Sequence, residues 1–378
     1  MAVEQVSSEN QPATNKSMVS VAPGTADLSR MIPEEVLDRL VYFVGSTRSG
    51  TTIISRSFFM SDRVFTFPTF TQFTHNVWKH RNKVDARMLR RIFRMPKFYH
   101  ELRVFKSLDD QTRARFEREV QGAFATKHFG RLFKIYPRHY ALDPDCVKNG
   151  ARALCWSDKA NDIEGLFDIP RYMPQAKVVF VIRDPRATIA SMQGQVVLSR
   201  GEQTALRARL AALLQSAIYW RNMMQAFLRF SDRYPDRVAF VSYEDFVDAP
   251  DKTINALLEF GAGERMPENT LSAGLARLKQ GNKHEKSANS FGIDRRPLER
   301  WRRMLATNEI DIVTAMTWKT GRKLGYDIGP ARLRPALAAI LRIEGLRQKA
   351  ILAIKLAYLE VREWLVPRRA GAPSRRAD

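Results

Sequence analysis

The sequence predicts an α/β domain built on a central parallel sheet with helices on both faces, followed by a helical extension at the C-terminal end. Two observations predict it. Residues 40–44 are a short, apolar, β-rich run that passes straight into a glycine-bracketed loop and then into an apolar pattern of helical period at 53–59, the strand–loop–helix order that opens many parallel α/β sheets. Two further β-rich runs, 177–182 and 238–242, are each followed by helical patterns, and such alternation puts the crossover helices on either side of the sheet.

Taken in order, residues 1–35 are polar and are expected to form a disordered arm, with the main domain spanning 36–329. Residues 77–140 are rich in Arg, Lys and long apolar side chains and are expected to be helical, for instance at 111–121, covering one side of the loop. After Lys177 the run to Ile182 is continuously apolar, as strands buried on both faces are. A helical pattern resumes at Ala187, and 206–230 and 252–260 carry apolar residues at helical spacing. Pro330 and Pro335 mark a boundary. Beyond it, 330–366 reads as a basic amphipathic extension of one or two helices with a break at Gly345, and 367–378 as a disordered basic tail.

Composition narrows the function classes. Cys146 and Cys155 are the only cysteines; they make no disulfide framework and have no metal-ligand spacing, which suits a reducing, cytoplasmic setting. The N-terminal segment lacks the pattern of a secretory signal, and no run approaches the ~18 apolar residues of a spanning helix. A formal net charge of +22 favours a polyanionic partner: nucleic acid, an anionic membrane or a multiply charged nucleotide. No nucleic-acid-binding module is recognisable, so nucleic acid is set aside.

The segment from Gly45 to Thr52 has the spacing of a Walker A loop, except that Thr51 stands where a nucleoside triphosphatase has lysine. Small residues let backbone N–H groups converge on one anion at a helix N-terminus. Here the cation sits inside the loop, at Arg48. A second arginine motif follows the run 177–182: Arg183-Asp184-Pro185-Arg186, with Ser191 eight residues after Arg183; the tripeptide alone reads as a capped helix start, and its side chains also suit an anion. A guanidinium pairs bidentately with phosphate, and a nearby hydroxyl adds a further bond.

Arg48-Ser49-Gly50-Thr51-Thr52 resembles the loop that binds the 5′-phosphosulfate in sulfotransferases dependent on 3′-phosphoadenosine 5′-phosphosulfate (PAPS), and Arg183 with Ser191 resembles that family's 3′-phosphate site. Three weaker elements accompany them: Trp156-Ser157-Asp158-Lys159, Ser242-Tyr243-Glu244-Asp245-Phe246, and the pair Trp301 to Leu305 and Arg322 to Tyr326. The resemblance runs over about residues 38–328 and implies a P-loop, nucleotide-kinase-like fold, PAPS as donor and no metal. It implies donor contacts from Arg48, Ser49, Gly50, Thr51, Thr52, Arg183, Ser191 and Tyr243, the last toward adenine.

Sulfuryl transfer resembles phosphoryl transfer, so catalysis rests on positioning and on charge stabilisation at the leaving oxygen. Arg48, the loop amides and the Thr51 and Thr52 hydroxyls would serve the leaving 5′-phosphate, and Lys159 is a candidate contact to the sulfuryl or acceptor oxygen. The general base is the point of departure. Where many members carry glutamate beyond the loop, this chain has Pro68 and Thr69. His75 is the nearest titratable side chain and the candidate base; Asp158 is its rival, its other reading being to pair with Lys159 or cap a helix at Ala160. His80, His100, His128 and His284 carry no usable signal. Arg295 and Arg296, in a Gly/Ser/Asn-bordered stretch, read either as solvated surface arginines or as closing over a nucleotide, and are left out of the donor contacts.

The acceptor stays open among carbohydrate, lipid and small alcohol or amine, with Phe70, Phe73 and Trp78 able to stack on a sugar or hold an acyl chain. Two rival readings are a P-loop kinase, which the missing loop lysine disfavours, and a non-enzymatic protein that binds anionic membranes. The latter draws on the C-terminal segment, where Leu337, Ile340, Leu341, Ile351, Ile354, Tyr358, Val361 and Trp364 are flanked by Arg342, Arg347, Lys349, Lys355 and Arg362. Such a helix reads as a membrane-surface element, and packing on the domain or a homodimer interface is its other reading. An enzyme resting on the inner membrane combines both functions.

Overall fold

In the structure, a computed structural model, residues 31–58, 60–67, 109–143, 150–161, 165–200, 206–266, 292–331 and 335–365 are described, with 146, 148, 163, 274 and 333 between them. The elements are α1 (Glu34–Leu37), β1 (Leu40–Gly45), α2 (Thr51–Phe58), β2 (Val64–Thr66), α3 (Asp110–Ala125), α4 (Phe129–Tyr140), β3 (Cys155–Ala160), α5 (Ile169–Tyr172), β4 (Lys177–Ile182), α6 (Pro185–Arg200), α7 (Leu206–Arg233) and β5 (Val238–Ser242). After them come α8 (Tyr243–Asp248), α9 (Pro250–Ala262), α10 (Arg296–Glu299), α11 (Trp301–Met304), α12 (Thr307–Lys323) and α13 (Pro335–Leu365).

Five parallel strands form one sheet in the order β2-β3-β1-β4-β5. The period of two along each strand divides the interior into two cores. Leu40, Tyr42 and Val44 of β1 with Val178, Phe180 and Ile182 of β4 join a large core under α3, α4, α7 and α12. Val41, Phe43, Val179 and Val181 face the other way, into a smaller core with Ile54 and Phe58 of α2 and Phe246, Ile254 and Leu257 of α8 and α9. β1 and, after Lys177, β4 bury both faces, which is why they read as unbroken apolar runs.

Two strands departed from expectation. β2 and β3 carry no continuous apolar run, and Ala160, one of whose readings is a helix start capped by Asp158, ends β3 instead. Ser157 and Asp158 are buried there; pairing with β1 on one side and β2 on the other absorbs their backbone groups. Trp156 anchors the strand, its indole N–H donating to the Leu37 carbonyl at 2.9 Å. Ile32, just before α1, is buried in the large core.

Helix boundaries moved outward. α6 begins at Pro185, two residues before Ala187, because proline suits a first helical turn whose N–H groups are unpaired anyway. α13 runs through Gly345 as one helix; a single interior glycine costs only about 1 kcal/mol and need not break a helix. It seats Leu352 and Leu356 in the large core, against α7 and the turn at Leu166–Asp168. Among the described residues no helix is long and apolar enough to cross a membrane. Both cysteines are buried thiols outside any disulfide.

The stacking of Phe180 on Phe227 ties sheet to helix: the rings lie 4.1 Å apart and near-parallel, both fully buried. Phe180→Ala is expected to cost about 3–5 kcal/mol, read as a lower urea midpoint with an unchanged slope.

Candidate active site

β1 and β4 lie side by side, so the loops that leave their C-terminal ends are neighbours. This topology brings the two phosphate-binding patterns together although 135 residues separate Arg48 from Arg183. From β1 the chain turns through residues 46–50 into α2. Ser49 N–H bonds the Ser46 carbonyl at 3.0 Å, and the Ser49 and Thr51 hydroxyls bond each other at 2.9 Å. The Thr47 amide donates to the Tyr219 hydroxyl at 3.4 Å, which itself donates to the Asn161 carbonyl.

Two loop residues have left-handed backbone, Arg48 at φ 71° and Gly50 at φ 94°. For a residue with a Cβ this costs about 1–2 kcal/mol, and Arg48 is held there by its contacts. Its Nε donates to the Ser191 hydroxyl at 2.9 Å, and its carbonyl accepts from Arg183 Nη1 at 3.1 Å. Gly50 has a second reason to be glycine: a Cβ there would lie 2.3 Å from Cδ2 of Tyr243.

Arg183 is the centre of this arrangement. It is 5 % exposed, its second amino group donates to the Pro297 carbonyl at 2.6 Å, and its guanidinium lies 4.4 Å from the centre of the Tyr243 ring. Its Nε has no partner. No described carboxylate stands within ion-pair distance of it. Burial pulls its pKa below the ordinary arginine value, partly offset by Tyr243 and Glu244. Burial raises the Tyr243 phenol in turn, with Arg183 opposing.

A second layer holds the loop after β4 in place. Glu244 accepts from the Asp184 amide at 3.0 Å and from the Tyr326 hydroxyl at 3.2 Å. Burial raises the pKa of both side chains, that of Tyr326 strongly, with the Glu244 charge adding to it. Trp220 donates its indole N–H to the Arg183 carbonyl at 3.2 Å. Arg186, despite its place in the motif, pairs with Asp184 at 2.6 Å and stacks on Trp301.

On the other side of the loop, Lys159 at the end of β3 donates to the Thr52 hydroxyl at 3.0 Å. Burial, with Arg56 adding, brings the Lys159 pKa down to about 8, Asp158 working against the shift. Ser55 and Arg56 of α2, Thr66 and Phe67 at the end of β2, and Ser157, Asp158 and Lys159 of β3 line a small cleft open to solvent. Asp158 Oδ1 accepts from the Lys159 amide at 2.8 Å. Ser157 Oγ is buried without a partner.

The structure thus brings together Arg48, Ser49, Gly50, Thr51, Ser191, Arg183 and Tyr243, with Lys159 and Thr52 adjoining. Tyr243 packs on the loop glycine and beneath Arg183. Arg295 and Arg296 pair on the surface with Asp248 and Asp294; it is the backbone of Pro297 that reaches the site. His75, Pro68, Thr69, Phe70, Phe73, Trp78, His80, His100 and His284 lie outside the described residues. Sequence reasoning missed Trp220 and Tyr219, whose helical spacing marks them only as core. It quoted Glu244 and Tyr326 without assigning either a role. Among the described residues no three of His, Cys, Asp or Glu gather as metal ligands would.

A sulfotransferase family profile matches residues 41–264, more than half of the chain. The chain belongs to the sulfotransferase family. It is therefore a sulfotransferase enzyme, and the matched span contains both phosphate-binding patterns. Among solved structures it is similar to the sulfotransferase domain of the curacin biosynthetic pathway, at 19 % identity, TM-score 0.46, covering 76 % of this chain and 98 % of that one. It is similar also to the sulfotransferase domain of the Synechococcus PCC 7002 olefin synthase, at 15 % identity, TM-score 0.47, covering 79 % and 98 %. A third is retinol dehydratase in complex with retinol and PAP, at 13 % identity, TM-score 0.41, covering 80 % and 84 %. Comparison with curated protein sequences finds no match.

The contact between Tyr243 and Gly50 is open to a stability test. Gly263 is also left-handed, at φ 75°, but nothing lies within 4 Å of a Cβ there. Gly263→Ala is expected to cost about 1–2 kcal/mol from backbone strain alone, and Gly50→Ala clearly more in the same urea titration. Equal losses would mean that the ring does not press on the loop.

Proposed function

We propose that this sulfotransferase takes its sulfuryl group from PAPS and passes it to a hydroxyl, or an amine, of a carbohydrate, glycolipid or other polar small molecule. The observation that carries the donor reading is Arg183: a buried guanidinium that touches two carbonyls and an aromatic face but, among the described residues, no carboxylate, beside an amide-lined loop and Arg48. Such a charge is costly to bury unpaired, and a phosphate anion would complete it through a bidentate pair. Arg183 and Ser191 would hold the 3′-phosphate, and residues 48–52 the 5′-phosphosulfate.

Bound PAPS supplies an activated sulfuryl group; the chain's residues supply position and charge. A bond forms between the acceptor oxygen and sulfur as the sulfur–phosphate oxygen bond breaks, its electron pair staying on the leaving phosphate. Arg48, the loop N–H groups and the Thr51 and Thr52 hydroxyls would stabilise that charge. Lys159, already bonded to Thr52, stands between loop and cleft, where its ammonium would reach the transferring group. The acceptor's proton needs a base, for which His75 and Asp158 are the candidates; Asp158 is the one carboxylate among the described residues lining the cleft. Hydroxyl and charged side chains in that lining favour an acceptor rich in hydroxyls.

Calorimetric titration with 3′-phosphoadenosine 5′-phosphate, with ATP as control, tests the donor site. Metal-independent binding, weaker by about 2–5 kcal/mol in Arg183→Ala, is expected; binding no better than ATP would overturn it. The acceptor side is tested by the pH profile once an acceptor is found. Since Lys159 of the free enzyme is charged below about pH 8, kcat/KM should fall as pH rises through that value, and Lys159→Arg should carry activity to higher pH. Loss of about 10²- to 10⁴-fold in His75→Gln, or instead in Asp158→Asn, would identify the base.

A further inference from the structure

We propose that the outward face of α13 is a docking surface for an anionic lipid bilayer, on which the enzyme rests without crossing it. The helix has two apolar faces. One holds Leu352 and Leu356, both nearly fully buried against α7 and the turn at Leu166–Asp168. On the opposite face Ile343, Leu346, Ala350, Ile354 and Tyr358 recur at spacings of three and four, which brings them onto one stripe. Ile343 is 69 % exposed, Ile354 71 % and Tyr358 62 %. Apart from Phe240, every exposed large apolar side chain among the described residues lies on this one helix. Scattered exposed apolar residues need no explanation, but a contiguous stripe marks an interaction site.

The charge around the stripe chooses its occupant. Arg342, Arg347 and Lys355 are exposed on the same helix. Over residues 335–365 there are five basic residues, Arg342, Arg347, Lys349, Lys355 and Arg362, against Glu344, Glu360 and Glu363. Residues 366–378 add Arg368, Arg369, Arg375 and Arg376 against Asp378 alone. An apolar face with basic residues beside it lies in the headgroup boundary of an anionic membrane, apolar side chains inserted and cations at the phosphates. A second copy of this chain fits less well. Two-fold pairing of the same face would set the Arg347 and Lys355 of one copy against the basic residues of the other, on molecules that each carry a net charge of +22. An anionic bilayer turns that charge into attraction. This surface is independent of the donor site.

The test is flotation of the full chain with vesicles of phosphatidylcholine alone and of phosphatidylcholine with about one-third phosphatidylglycerol, beside the double variant Ile343→Glu, Ile354→Glu. Both side chains point to solvent, so the variant is expected to fold; unchanged binding of 3′-phosphoadenosine 5′-phosphate and an unchanged urea midpoint check that. Binding is expected only to the anionic vesicles, to weaken with salt, and to fall at least about tenfold in the variant. Arg368→Glu with Arg369→Glu separates the tail's contribution from that of the helix. Equal binding by wild type and the double glutamate variant would overturn the proposal, leaving a purely electrostatic tail effect. So would absence of vesicle binding. A concentration-dependent dimer in sedimentation, lost in the same variant, would assign the face to a second copy instead.

Discussion

Removing a guanidinium from water costs several kcal/mol even after the protein relaxes around it, and Arg183 is kept almost wholly out of water by contacts that only partly compensate. The Arg48 and Pro297 carbonyls and the Tyr243 ring offer partial charges, not a formal one. Each of these contacts also organises something else. The bond to the Arg48 carbonyl holds the loop in its left-handed turn. The ring beneath the guanidinium fills the space that glycine leaves at residue 50. The Pro297 carbonyl brings the segment before α10 onto the site.

This arrangement requires the sheet order. β1 and β4 are adjacent and in register, so the turn after Gly45 and the turn after Ile182 emerge on the same edge. β5 on the far side of β4 delivers Tyr243 and Glu244 to that edge, and β3 on the far side of β1 delivers Asp158 and Lys159. The Glu244 bonds to Asp184 and Tyr326 then link the edge to the chain after α12. Ligand sites in open parallel sheets gather at the carboxyl ends of the strands for this reason. The chemical division follows: arginines and the loop amides around β1, β4 and β5, and a polar cleft around β2 and β3.

How much of this was legible in the sequence depended on how each residue is satisfied. β1 and β4 were readable because both faces are buried, which leaves no polar interruption. The loop was readable because convergence of amides on an anion demands small residues at set spacing. β3 was hidden because Ser157, Asp158 and Lys159 are polar residues whose burial is made tolerable by neighbouring strands and by the cleft. Trp220 and Tyr219 looked like core residues, since the helical period records their apolar bodies and not the polar atoms at their tips. The break expected at Gly345 did not occur because Leu352 and Leu356 hold α13 to the core.

The amino-acid order by itself determined the alternation of strands and helices, the glycine loop with its internal arginine, the second arginine motif and the strongly basic balance. Those are local matters, set by backbone sterics, side-chain period and charge. Only the tertiary structure decided that Arg48 meets Ser191, that Tyr243 lies between Gly50 and Arg183, that Lys159 reaches Thr52, and that one apolar face of the last helix is covered while the other is not. Each of those joins residues far apart in the chain. Their meeting is fixed by strand register and by which side of the sheet a helix packs on, and neither is written in any short stretch of sequence.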